Sequence, residues 1–174
     1  VVGIGAGGAY MSDVLFVSSL KDNILSRAVF GMLSIASKVV WVGLALLVLS
    51  GTLLFFLSPE AYASSTKFLA KMTIVGIIIL NGIVFHFKHL PLVKSTENRP
   101  LFSNKEFKKG APLLVASGAI SMVSWTFAII FGVLRSIPYS YLTIMSVYLL
   151  IVLFAVGTAL FLEKKLFKSV RASS

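Results

Sequence analysis

Few residues in this 174-residue chain are of a type and spacing that could do chemistry, and the first of them are glycines. GIGAGG, residues 3–8, spells Gly-x-Gly-x-x-Gly, the loop that cradles a dinucleotide pyrophosphate. That loop needs a strand before it, a helix after it and an acid about 20 residues on to hold the ribose. No strand can be read before Gly3, and Asp22 lies at the end of the same apolar stretch. On a helix, Gly3 and Gly7 instead form a small-residue ridge with Gly5 and Ala9 beside it, where a second helix can approach closely. Asp13 continues the line of Gly5 and Ala9 at four-residue steps.

Asp13 is the clearest candidate for a site. It lies roughly 10 Å from the end of an apolar stretch at 1.5 Å per residue, where an isolated carboxylate must be protonated or paired. Lys38 is one possible partner. A cation or proton site and a structural ion pair are both open readings. Asn81, in ILNG, falls at similar depth, as do Ser117, Ser121 and Thr158. Amides at such positions often join helices, but if these faces converge with Asp13 they line a polar pocket.

His86 and His89 are the two histidines, in HFKH. A spacing of i, i+3 puts them on one helical face, which suits a metal ion. A haem b held between two histidines needs them on opposite sides of the iron. A haem here would therefore need a further ligand from elsewhere, and no cofactor is assigned. Nothing spells a catalytic constellation: there is no H-E-x-x-H, no pair of carboxylates and no Ser with His and Asp at recognisable positions.

The elements that carry these residues are transmembrane helices. Apolar residues make up 57% of the chain and charged residues 13%, against roughly 45–50% and 25% in soluble domains. A span needs about 20 mostly apolar residues, and five stretches approach this: about 1–20, 36–57, 67–88, 111–134 and 139–162. The third reaches full length if Lys67 and Lys71 snorkel outward. The fold expected is an all-α, polytopic bundle forming a single membrane domain over 1–174. It has an irregular cytoplasmic loop at 90–104 and a basic tail at 163–174.

The net charge of +10 would suggest nucleic acid in a soluble protein, but the basic residues sit between the apolar runs. Lys21, Arg27 and Lys38 follow the first run. Lys88, Lys94, Arg99, Lys105, Lys108 and Lys109 follow the third, and Lys164, Lys165, Lys168 and Arg171 follow the fifth. The opposite side holds Lys67, Lys71 and Arg135. The positive-inside rule then puts the N-terminus outside and the C-terminus in the cytoplasm. The partners expected are the bilayer, its anionic headgroups near the basic clusters and further copies of the chain, with no nucleic acid. The absence of cysteine excludes disulfides and thiolate sites. Val1 stands where a natural start would have Met, so the first helix is expected to begin earlier.

Local signals refine the boundaries. Ser58, Pro59 and Glu60 read as a cap, a first-turn proline and an acid at a helix start. Ser103 and Glu106 read as a capping box, and residues 24–38 extend the second helix before its apolar part. Ser37 and Trp41 recur in spacing as Ser121 and Trp125, and Phe68 and Met72 as Tyr141 and Met145. Chance sharing between apolar hairpins and a true repeat are both open. Trp41 and Trp125 read as packing or interface anchors.

GGAYMSD, SKVVWVGLALLVLSG, KFLAKM and ILNGIVFH followed by a proline resemble a family of small bacterial integral inner-membrane proteins. More distantly they resemble the copper-resistance D type of helical domain. The resemblance implies a compact helical bundle in a bacterial inner membrane and brings no activity with it. The chain lacks the cysteines or methionine cluster that copper handling would use. The function expected is binding or transport of a small solute or ion at the Asp13, Asn81, Ser117, Ser121 and Lys38 positions. A haem or metal redox protein using His86 and His89 is one alternative, and a non-catalytic subunit of a membrane complex is another.

Overall fold

The computed structural model describes residues 2–96, 100–101 and 104–172. Among them the chain is helical throughout, apart from its turns and one isolated antiparallel bridge between Ile24 and Pro100. Helix α1 spans Val2–Asp22, α2 Arg27–Leu57, α3 Pro59–Ala63 and α4 Thr66–Val84. A π turn over Phe85–His89 leads into α5, Leu90–Lys94, followed by α6, Lys105–Val133, and α7, Tyr141–Ala172.

The boundaries have local causes. Ser26 caps α2 by accepting from Val29 N–H, so this helix of 31 residues begins well before its most apolar part. The break at Ser58 and Pro59 restarts the chain as the short α3. Asn104 caps α6, its Oδ1 accepting from Glu106 and Phe107 N–H at 2.8 and 3.2 Å. The cap therefore sits one residue after Ser103, which lies outside the described residues, as does Arg99.

One expected segment differs, and a second takes helical form. Residues 90–94 of the expected loop continue the fourth helix through Pro91. A proline ring collides with the i−4 carbonyl of a regular α-helix, and the π turn just before it widens the backbone there. Leu90 N–H bonds to Phe85 C=O instead. The tail, read as an extension beyond the membrane, continues α7 as helix to Ala172.

Among the described residues four helices are long and apolar enough to cross a membrane: α2, the α4–α5 unit Thr66–Lys94, α6, and Tyr141–Lys165 of α7. Their outer surfaces are apolar, with Leu53, Phe56, Leu142, Leu150 and Phe161 exposed, while many interior positions are small. Ala6, Ala70, Ala111, Ala128 and Ser124 are each at most 1% exposed. Such an interior suits a bilayer, where lipid tails are as apolar as leucine and helices associate through close contact and hydrogen bonds.

Helix α6 is the hub, packing on α1, α4 and α7, while α1 also lies along α2 over its most extensive interface. Each α6 neighbour is pinned by a polar contact. Tyr10 OH meets Thr126 Oγ1 at 2.8 Å from α1, and Tyr148 OH meets Ser124 Oγ at 2.8 Å from α7. Asn81 of α4 meets Ser117 of α6. Lys67 Nζ donates to the Leu134 carbonyl at the far end of α6.

The glycines of α1 divide by face. A Cβ on Gly43 of α2 would lie 2.5 Å from Gly5 N and 2.6 Å from Gly5 Cα, and one on Gly5 would overlap the Trp125 ring. A Cβ on Gly8 would lie 3.0 Å from Ala36 O. At Gly3 and Gly7 it would meet nothing within 4 Å. Close packing therefore runs along Gly5, Gly8 and Ala9, and the Gly3 and Gly7 ridge faces outward. Gly5→Val should destabilise the protein by about 1–3 kcal/mol through overpacking, whereas Gly3→Ala and Gly7→Ala should stay within about 0.5 kcal/mol. Thermal unfolding in detergent reads the difference, and equal losses at Gly3 and Gly5 would refute this assignment of faces.

Candidate functional site

The core consists of two apolar clusters with a gap between them. One cluster gathers Ala6, Leu44, Ile74, Trp125 and Tyr148 in the half of the bundle away from the α1–α2 turn. The other gathers Leu20, Leu25, Leu33, Val93, Leu101 and Phe107 around that turn and the approach to α6. Leu101 N–H donates to Asn23 C=O at 3.0 Å and ties the two connections together. Asn23 reaches this position with φ 53°, a left-handed conformation that asparagine tolerates.

Between these clusters lies a cavity of 1030 Å³, lined by α1, α2, the α4–α5 unit, α6 and α7. Asp13, Asn81, Ser117, Ser121 and Thr158 all line it. The four-residue line from Gly5 through Ala9 brings Asp13 to α6 at Gly118, which leaves room for the carboxyl. A Cβ there would lie 3.2 Å from Asp13 Oδ1. Asp13 Oδ2 is buried and has no hydrogen-bond partner among the described residues. Lys38 is exposed on α2, does not line the cavity, and forms no ion pair with Asp13 among the described residues.

Four polar side chains of the wall, Asn81, Ser117, Ser12 and Thr158, are already engaged. Asn81 Nδ2 donates to the Ser117 carbonyl at 3.0 Å, and Ser117 Oγ donates back to Asn81 Oδ1 at 2.7 Å. This reciprocal pair clamps α4 to α6. Ser12 and Thr158 donate to the backbone carbonyls one turn earlier, Gly8 and Phe154. Among the described residues that line the cavity, Asp13 Oδ2 is the side-chain atom that is both fully buried and without a partner. An unsatisfied polar atom away from water costs free energy, and retaining one needs an explanation.

Ser37, Trp41, Ser121 and Trp125 also line the cavity, so the residues that echo each other in sequence meet in one space. Trp125 is fully buried against Gly5, as a packing residue. Sequence reasoning missed Glu163. It lines the cavity where α7 passes the basic end of the bundle and is 6% exposed. Flanked by Leu162 and two lysines, it reads in sequence as a solvated helix-end charge, and no one-dimensional signal marks it.

The histidines do not share a face. His86 is exposed, while His89 is 1% exposed with Nε2 lacking a partner among the described residues. The i, i+3 rule holds for 3.6 residues per turn, and the π turn over Phe85–His89 rotates the two rings apart. Neither lines the cavity. No group of three or more His, Cys, Asp or Glu side chains that could hold a metal occurs among the described residues.

Comparison with known proteins gives no match to any family model, curated protein or solved structure. Fold and composition define the class: a chain whose described residues are helical and include four helices suited to crossing a membrane. The site is read from its geometry.

The Asn81 and Ser117 clamp has a measurable weight. Hydrogen bonds between membrane helices average about 0.6 kcal/mol. Ser117→Ala, which keeps the backbone acceptor, should cost about that much. Asn81→Leu, which removes both bonds, should cost more. Unfolding of the single and double variants in detergent gives the coupling, and zero coupling would show the pair to be incidental.

Proposed function

We propose that this chain is a five-span protein of a bacterial inner membrane whose cavity around Asp13 binds a small solute or ion and passes it across the bundle. The observation that carries the proposal is the unpartnered Asp13 carboxyl oxygen beside a large cavity. Cavities of ~300–1,000 Å³ with a few convergent polar groups are the usual form of a small-molecule site. Ionisable residues inside membrane helices mark substrate or ion pathways by default.

The fifth span is α1. Its glycines and serines make it less apolar than the other four, but it is 21 residues long and packs on both α2 and α6. Its outer face presents Ile4, Met11, Val14 and Val17. Thirteen of the sixteen basic residues fall at the chain positions of the end bearing the α1–α2 turn, which supports a cytoplasmic assignment for that end. The bacterial inner membrane is supported by the sequence resemblance. Five helices are few for a monomeric pore, which favours transport by a homo-oligomer.

Two measurements test these readings. Because the chain has no cysteine, single replacements report sidedness cleanly. A membrane-impermeant maleimide should label Gly3→Cys and Ser64→Cys in intact cells, and Ser95→Cys only after lysis. Labelling of Gly3→Cys together with Ser95→Cys would remove α1 as a span. For the site, the full chain in lipid nanodiscs is screened by thermal shift against inorganic cations, amines, anions and neutral solutes. At least one class should stabilise it, and that effect should vanish in Asp13→Asn. If no class acts through Asp13, the cavity is not the binding site.

A further inference from the structure

The cavity walls also indicate which chemical class they would hold. Its wall is mostly aliphatic and aromatic, including Phe16, Trp41, Phe85, Trp125 and Phe154. Two acids line it, Asp13 in the middle of α1 and Glu163 at the basic end of α7. Lys165 lies beside Glu163 at that end, and no cation pairs with Asp13 among the described residues. The charge offered to a ligand deep in the cavity is therefore negative, and the surface offered is apolar.

The route into this space is lateral. Helices α1 and α7 both flank α6 and make at most slight contact with each other. Val14, Val17 and Ser18 of α1 and Phe154, Thr158 and Leu162 of α7 nevertheless line the same cavity. The cleft between them opens among apolar side chains, with Val14 66% and Phe154 77% exposed. A solute entering by this cleft comes from the apolar exterior of the bundle. It must bury an apolar body and bring a positive charge to Asp13.

A hard divalent ion fits these features poorly. It takes six or more oxygen ligands in a compact shell, whereas Asp13 lines a cavity walled largely by carbon. An organic monocation fits better. Its diffuse charge costs less to desolvate than that of a bare ion, aromatic faces attract it at close range, and its body fills apolar volume.

We propose that the cavity takes a lipophilic organic monocation, an amine or quaternary centre with an aromatic or alkyl body. Its charge is countered by Asp13, and Glu163 draws it toward the basic end. This rests on the reading of the cavity as a ligand site.

Tetraphenylphosphonium, tetraphenylborate and triphenylphosphine oxide offer similar aromatic bodies with positive, negative and no charge. Their equilibrium binding to the full chain in lipid nanodiscs, corrected by empty nanodiscs, tests the class. Tetraphenylphosphonium should bind saturably, one per chain, and be displaced by an excess of an alkyltrimethylammonium ion. Asp13→Asn should weaken it at least tenfold, Asp13→Glu should retain it, and Glu163→Gln should weaken it less than Asp13→Asn. Ser121→Phe narrows the cavity without changing its charge and should also weaken binding, which keeps the test valid if Asp13→Asn does not fold.

Saturable binding of the borate or the oxide in preference, still dependent on Asp13, would overturn the cationic class and leave the site standing. Phosphonium binding unchanged in both Asp13→Asn and Ser121→Phe would overturn the placement in this cavity. If none of the three probes binds, the class falls. The site falls with it only if the broader thermal-shift screen is silent as well.

Discussion

Three helices meet at Gly5. The Gly43 backbone of α2 stands against its peptide on one side, and the Trp125 ring of α6 covers its Cα on the other. Inside a membrane bundle, where burying an apolar side chain gains little over leaving it in lipid, such contacts and a few hydrogen bonds do the cohesive work. The position of α1 follows from this junction, and with it the depth and direction of everything further along that helix. Eight residues on, at four-residue steps through Ala9, the same face delivers Asp13 to α6 at Gly118.

Helix α6 organises the rest in a similar way. It contributes a hydroxyl or carbonyl to each of its three neighbours: Thr126 to Tyr10, Ser117 to Asn81, and Ser124 to Tyr148. Because α1, α4 and α7 are each fastened to α6, α2 and α4 have little contact with each other, and α1 and α7 pack on α6 alone in common. Space is left between the outer helices where the small residues of α1 and α6 give way to Asp13, Gly118 and Ser121. The cavity thus results from a packing scheme that uses one helix as a spine.

Within that space some polar groups serve the scaffold and Asp13 does not. Asn81, Ser117, Ser12 and Thr158 have their hydrogen bonds satisfied by one another or by their own helices, so they hold the scaffold. The Asp13 Oδ2 atom has no such partner. Asp13 therefore lines the cavity without a hydrogen bond that fastens one helix to another, which is why the proposed function centres on it. Glu163, drawn inward at the end of α7, extends the same negative character toward the basic end.

The amino-acid sequence determined the helical class and most of the helices, because long apolar runs, the break at Ser58 and Pro59, and charges between the runs are local facts; Ser58, read as a cap, makes no side-chain capping bond. It also determined that Asp13 is out of place, since a carboxylate deep in an apolar helix is conspicuous in one dimension. Its partners were not legible. Lys38 was the nearest base by chain logic, yet it is exposed on another face of α2. The glycine face and the pairing of the histidines were likewise beyond reach. Rotation about a helix axis is set by neighbours, and the π turn over Phe85–His89 shifts that rotation locally. Asn104 caps α6 through its own side-chain oxygen. Only the tertiary structure decided that Asn81 and Ser117 satisfy each other, that Glu163 turns inward, and that a cavity separates two apolar clusters. Each is a relation between residues far apart in sequence, fixed by how closely helix backbones can approach.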